Sequence, residues 1–141
     1  MSSTGVLVTG EFLKDYNSLI SKTPRYIVFK ISDDYKEFVV ESSGDRSSTY
    51  EDFLNALTPN EVRYAVVDFE FETVGGRRNA ILFILYSDDL APIKKKMVYA
   101  SSKDALRRAL TGIAVNIQAS GKEELEYDEV LDTVRQRLAI R

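Results

Sequence analysis

The sequence predicts an α/β fold, a five-stranded mixed β-sheet with helices on both faces. Three observations lead there. Apolar runs of strand character alternate with amphipathic helical stripes in the order αββαββαβα, an arrangement that layers helices over a sheet. One run, Ile81-Leu82-Phe83-Ile84-Leu85, has no polar alternation, so both its faces must be covered. At 141 residues and 44% apolar content the chain has the size and the core of one domain.

Each element has a local reason. Between Glu11 and Ser21, Phe12, Leu13, Tyr16, Leu19 and Ile20 form one helical stripe, with Thr9 as its cap. After Pro24, Arg25 to Ile31 reads as a strand. Ser32-Asp33-Asp34 then turns it into a second strand, Glu37 to Glu41. Ser48-Thr49-Tyr50-Glu51 has the spacing of a capping box and opens a short helix that ends before Pro59. Arg63 to Thr73 and Asn79 to Tyr86 are the longest strands, paired through Val74-Gly75-Gly76. On the first of them Asp68, Glu70 and Glu72 share a face with Tyr64 and Val66, so its far half should project beyond the helix covering its near half. Pro92 suits the first turn of a long basic helix and Gly112 its end. Ala114 to Gln118 is the last strand. Tyr127, Val130, Leu131, Val134 and Leu138 give a final helix one apolar stripe, and its charges run from acidic to basic along the helix dipole.

Composition narrows the function. The chain contains no cysteine, which removes disulfides and thiolate metal sites and suits a reducing compartment such as the cytosol. It also contains no histidine, the commonest general base and metal ligand. With no phosphate-cradling glycine loop either, an enzyme is not expected, and no catalytic residue, metal or cofactor is assigned. An isoelectric point near 5.1 argues against general affinity for nucleic acid. The amino terminus lacks the pattern of a secretory leader, and no stretch approaches the roughly 18 to 20 apolar residues of a membrane span. A soluble protein is expected.

Charge is sorted along the chain. Lys94 to Arg108 holds six cations and one anion, a charge of +5, in a chain whose net charge is −3; the remainder therefore carries −8. A basic surface on an acidic protein selects an acidic partner. Around an ideal helix axis with Lys96 at zero, Val98, Tyr99, Ala105, Leu106, Ala109 and Leu110 form a core-facing arc, while Lys103 and Arg107 fall within about 20° of Lys96. Ile93 and Met97 fall near about 60° and 100°, beside the basic stripe and outside the core arc. Lysines and single apolar residues on a helix surface are ordinary. A polarizable methionine ringed by cations is instead the composition of a protein-binding patch. A nucleic-acid site would need stacking aromatics there. A lipid or nucleic-acid module would depend on the charge alone and be indifferent to Met97.

Lys96-Met97-Val98-Tyr99-Ala100-Ser101-Ser102-Lys103-Asp104-Ala105-Leu106-Arg107-Arg108 closely resembles the long helix of the ADF/cofilin family of actin-binding proteins. Ser3-Thr4-Gly5-Val6, the run Arg63 to Phe71, and Ala91-Pro92 extend the resemblance over nearly the whole chain. It implies a single actin-depolymerising-factor homology domain over residues 1–141, with 1–8 a mobile amino-terminal segment. It also implies a cytoplasmic monomer of the actin cytoskeleton that binds monomeric and filamentous actin and promotes depolymerisation and severing; the nucleus is left open as a second location. The family's shared actin surface, carried over by position, comprises Ser3, Thr4, Gly5, Val6, Lys94, Lys96, Met97, Lys103, Asp104, Arg107 and Arg108. Ile93 joins it from the helix wheel.

A second, filament-specific surface of the family uses the second hairpin and the last helix. Here the resemblance gives Arg77, Arg78, Asp132 and the nearby Arg135, but Ala80 replaces a common lysine, and Thr133 and Gln136 stand where arginine is frequent. Monomer binding is therefore expected to be intact, and filament binding or severing weaker than is typical of the family. A mainly monomer-sequestering protein and a coactosin-like filament-side binder are the alternatives. Family members are switched off by phosphorylation ahead of the Gly-Val pair, which makes Ser2, Ser3 and Thr4 the candidate sites. Phosphoinositides are the other implied regulator, competing for the same cations.

Overall fold

A computed structural model describes residues 5–140 of the chain. Its elements are α1 (Gly10–Ile20), β1 (Tyr26–Ile31), β2 (Phe38–Gly44), α2 (Tyr50–Ala56), β3 (Val62–Thr73), β4 (Gly76–Ser87), α3 (Ile93–Ala109), β5 (Val115–Ala119) and α4 (Tyr127–Leu138), with one 3₁₀ turn at Lys122–Leu125. The five strands form a single sheet in the order β2-β1-β3-β4-β5. Every neighbouring pair is antiparallel except β4 and β5, so the sheet is mixed as expected. A parallel pair cannot be joined by a tight turn, and α3 supplies the crossover.

Two buried clusters lie on opposite faces of the sheet. Val6, Phe12 and Tyr16, with Tyr99, Leu106 and Leu110, pack α1 and α3 against Phe29, Tyr64 and Phe83. Phe53, Leu54, Val130 and Val134 pack α2 and α4 against Val67, Phe69, Leu82 and Ile84. The unbroken apolar run in β4 is covered on both sides for this reason. Thr9 caps α1 by accepting the Phe12 amide at 3.0 Å. The capping box of α2 is shifted one residue from its expected place. Thr49 and Asp52 form it, not Ser48 and Glu51, with Thr49 N donating to Asp52 Oδ2 at 2.9 Å and Asp52 N to Thr49 Oγ1 at 3.1 Å. Both pairs have the right spacing, and the choice is made by where the chain turns helical. Pro92 is the residue before α3 and not within its first turn, and Gly112, at φ +79°, follows the helix by three positions.

The β3–β4 hairpin turns through Val74-Gly75, with Thr73 opposite Gly76. Gly76 has φ +120°, a conformation that only glycine adopts without strain. Tyr64 and Val66 of β3 belong to the α1/α3 cluster, whereas Asp68, Glu70 and Glu72 on the same face extend past it. Arginines cover them. Arg46 pairs with Asp68 at 2.7 Å and with Glu70 at 2.9 Å, Arg25 also pairs with Glu70, and Arg77 reaches Glu70 at 3.2 Å. The Arg25 guanidinium, and after it Arg77 and Arg46, hold the Glu70 carboxyl below its usual range.

Candidate functional site

The rotation of α3 is fixed by side chains that point into the sheet. Tyr99 is buried, its hydroxyl accepts the Ile31 amide at 2.9 Å, and its carbonyl accepts the Tyr64 hydroxyl. Leu106 and Ser102 are fully buried along the same side. Lys95 is also directed inward, pairing with Glu61 at 2.8 Å, and the Glu61 hydrogen bond raises its pKa. This cation of the basic segment is therefore a brace between α3 and the start of β3.

The opposite side of α3 faces solvent. Ile93 is 73% exposed and Met97 66% exposed, as the helix wheel requires of residues outside the core arc. Lys94 lies 4.8 Å from the centre of the Tyr35 ring, a cation–π contact. Lys96 donates to the carbonyl of Asp89 at 2.9 Å. Lys103, Asp104 and Arg108 follow toward the carboxyl end of the helix, with Asp104 and Arg108 exposed and Lys103 half-buried. Arg107 donates to Asn116 Oδ1 at 3.1 Å, and Arg137 of α4 donates to the carbonyl of Asn116 at 3.2 Å. Lys103, Arg107 and Arg137 thereby line a cleft of about 340 Å³ beside the edge strand β5.

The amino-terminal segment reaches this side through the β1–β2 hairpin. Leu7 N donates to the Lys36 carbonyl at 2.9 Å, and Phe38 N donates to the Leu7 carbonyl at 3.1 Å. The same hairpin tip carries Tyr35 beneath Lys94. Gly5 is exposed at φ +82°, but Val6 is 1% exposed and belongs to the core. Val6 thus packs into the core, and the backbone of Leu7 is paired with the β1–β2 hairpin. The candidate residues Ser2, Ser3 and Thr4 lie outside the described residues.

The hairpin and α4 present a different picture. Arg77 is held between Glu70, at 3.2 Å, and Glu72, at 3.7 Å. Arg135 turns back to donate to the Glu72 carbonyl at 3.0 Å. Ala80 is buried, opposite Phe69 on β3. Arg78 and Asp132 are exposed, and of the four residues assigned to this surface they alone have side chains free of a described partner.

The family profile described as Cofilin/tropomyosin-type actin-binding protein matches residues 5–135. The chain belongs to the ADF/cofilin family. It is 46% identical over 138 residues to cofilin of Schizosaccharomyces pombe, covering 97% of this chain and all of that one. It is 40% identical to actophorin of Acanthamoeba castellanii over 94% of this chain and 96% of that one. Among solved structures, Streptomyces griseoflavus cofilin superposes with a TM-score of 0.84 at 42% identity, covering 94% of this chain and 98% of that one. The human coactosin-like protein, at 16% identity and a TM-score of 0.74, shares the fold. The chain is accordingly an actin-binding protein of ADF/cofilin type, and no helix among its described residues is long and apolar enough to cross a membrane.

Periodicity put Ile93 and Met97 on the exposed side of α3, where they lie, but gave no sign of the exposure of Leu90, 77% in the turn before α3. A helix wheel takes no account of the turn ahead of the helix. It missed the roles of Tyr35 and Asn116 for a related reason: both meet α3 only through the folded sheet.

Proposed function

We propose that this protein binds actin monomers through the exposed side of α3 together with Gly5, and uses the same surface on filaments to promote their disassembly. The reading is carried by Ile93 and Met97, two large apolar side chains exposed within a basic stripe of an ADF/cofilin domain. Ile93 and Met97 enter an apolar cleft on actin, while Lys94, Lys96, Lys103, Arg107 and Arg108 meet acidic residues around it and Asp104 meets a donor. Burying the apolar pair supplies affinity, and the cations supply orientation and on-rate.

Filament engagement adds Arg78 and Asp132, with Arg77 and Arg135 partly engaged by Glu70 and Glu72. Contact with the neighbouring subunit, and with it severing, is correspondingly weak. Phosphoinositide headgroups compete for Lys103, Arg107 and Arg108 through the same charge that meets actin. Titration of labelled actin monomers with Met97→Ala and Lys96→Ala, beside co-sedimentation with filaments, tests the assignment. Loss of monomer affinity in folded variants supports it; unchanged affinity in both removes it. A filament affinity tighter than the monomer affinity would contradict the weakened second surface.

A further inference from the structure

The turn leading into α3 carries a third large apolar side chain with nothing to cover it. Leu90 is 77% exposed, beside 73% for Ile93 and 66% for Met97. One exposed leucine carries no information, but here three large apolar side chains are exposed within eight consecutive positions, two on the solvent side of α3 and one in the turn that leads into it. The position also has no structural need of leucine. It lies in a turn, where asparagine, serine or glycine would serve the backbone equally well.

The turn is rigid although its side chain is bare. Asp88 accepts from the Leu90 amide at 2.9 Å, from the Asn60 amide at 3.0 Å and from the Tyr86 hydroxyl at 2.7 Å. Its own carbonyl accepts the Ala91 amide at 2.9 Å. Asp89 donates to the Ser120 carbonyl at 3.0 Å, and its carbonyl accepts Lys96 Nζ at 2.9 Å. The residues on both sides of Leu90 are therefore fastened to the ends of β4 and β5 and to α3 itself. Binding through Leu90 orders one side chain and no backbone, which keeps the entropic cost of using it low.

We infer that Leu90 is a specificity-determining contact with actin, extending the apolar ridge of Ile93 and Met97 off the helix and onto the preceding turn. The inference rests on the actin surface proposed above. Continuity with that surface favours actin as the occupant, since Lys96 is hydrogen-bonded to the turn that carries Leu90 and so fixes the ridge relative to the basic stripe. A second copy of this chain fits poorly. In a symmetric pair the patch would meet itself and set Lys94 and Lys96 against their own counterparts.

The experiment compares Leu90→Ala and Leu90→Asn with Met97→Ala in titrations of labelled actin monomers, with thermal unfolding and sedimentation of each protein alone. Asparagine is at home in a turn, and the hydrogen bonds that fix this one use the Leu90 backbone, so both variants retain the loop. Both Leu90 variants should bind actin at least about 5-fold more weakly with an unchanged melting temperature. Wild-type affinity in both, with Met97→Ala impaired, would overturn the inference and leave the surface standing. Wild-type affinity in all three would remove the surface as well. Self-association of the wild-type chain that Leu90→Asn abolishes, with actin affinity intact, would give the ridge to a second copy and overturn the inference.

Discussion

The exposed side of α3 and the tip of the β3–β4 hairpin are both basic, yet they are built in opposite ways. Among the described residues, Lys95 is the one cation of α3 held by a carboxylate; the others make cation–π or neutral hydrogen bonds, or none that is described, beside Ile93 and Met97. On the hairpin, Arg77 lies between two carboxylates of its own protein and Arg135 is turned onto the backbone of β3. A surface of the first kind offers burial of apolar area plus charge. The second offers charge alone, already partly compensated within the fold, and exposed ion pairs are individually worth only about 0–1 kcal/mol. In the function proposed above, the first region is the anchor and the second an accessory.

The largest expected effect comes from loosening what holds α3 in place. Leu106 is fully buried against the sheet, so Leu106→Ala should cost about 2–5 kcal/mol of stability, measured by chemical unfolding. Monomer binding should suffer only in proportion to unfolding, because Leu106 itself touches no partner. A smaller and more selective loss is expected at the hairpin. Arg78→Ala should leave stability and monomer affinity unchanged and weaken filament co-sedimentation by about 2- to 5-fold, the scale of an exposed charge at an interface rim. Equal losses for monomer and filament would abolish the distinction between the two surfaces.

Much of the fold was legible because its signals are local. The strands, the α4 boundaries and the Thr9 cap all follow from periodicity and turn chemistry over a few residues. The shifted capping box shows the limit of such signals: Ser48/Glu51 and Thr49/Asp52 satisfy the same spacing, and tertiary placement of the helix start chooses between them. Site residues divide in the same way. Ile93 and Met97 could be read because exposure on a helix is a matter of angle. Val6 could not, since its burial depends on the tertiary assembly of the cluster it joins. The pairing of Arg77 was also hidden, although the acidic face of β3 could be read; nothing local states that the diagonal across the hairpin brings Glu70 to the guanidinium.

That pairing provides a further way to sharpen the contrast. Glu72 is directly opposite Arg77 in the β3–β4 register, and both side chains are exposed. Glu72→Gln should release part of Arg77 and raise filament affinity by about 2-fold, without changing monomer affinity. In an Arg77→Ala background the gain should vanish. A gain that persists there would mean that Glu72 acts by repelling the filament directly, and Arg77 would then have no part in it.

The smallest effect is a dependence of stability on acid. Three arginines hold Glu70 below its usual pKa, with Arg25 the leading cause. A carboxylate depressed in the folded state binds its proton less readily than in the unfolded chain. Its stabilisation is therefore complete above the unfolded value of 4.5 and is lost as the pH falls through the lower folded value. Glu70→Gln should lower the melting temperature at neutral pH and narrow its gap to wild type between about pH 4.5 and the acid limit, where wild-type Glu70 is itself protonated. No histidine is present to superimpose an imidazole transition near neutrality, so this convergence can be read without that interference. A gap that stays constant down to the acid limit would show that Glu70 contributes through packing at the base of the hairpin and not through its charge, and the hairpin would lose the electrostatic restraint that sets it apart from α3.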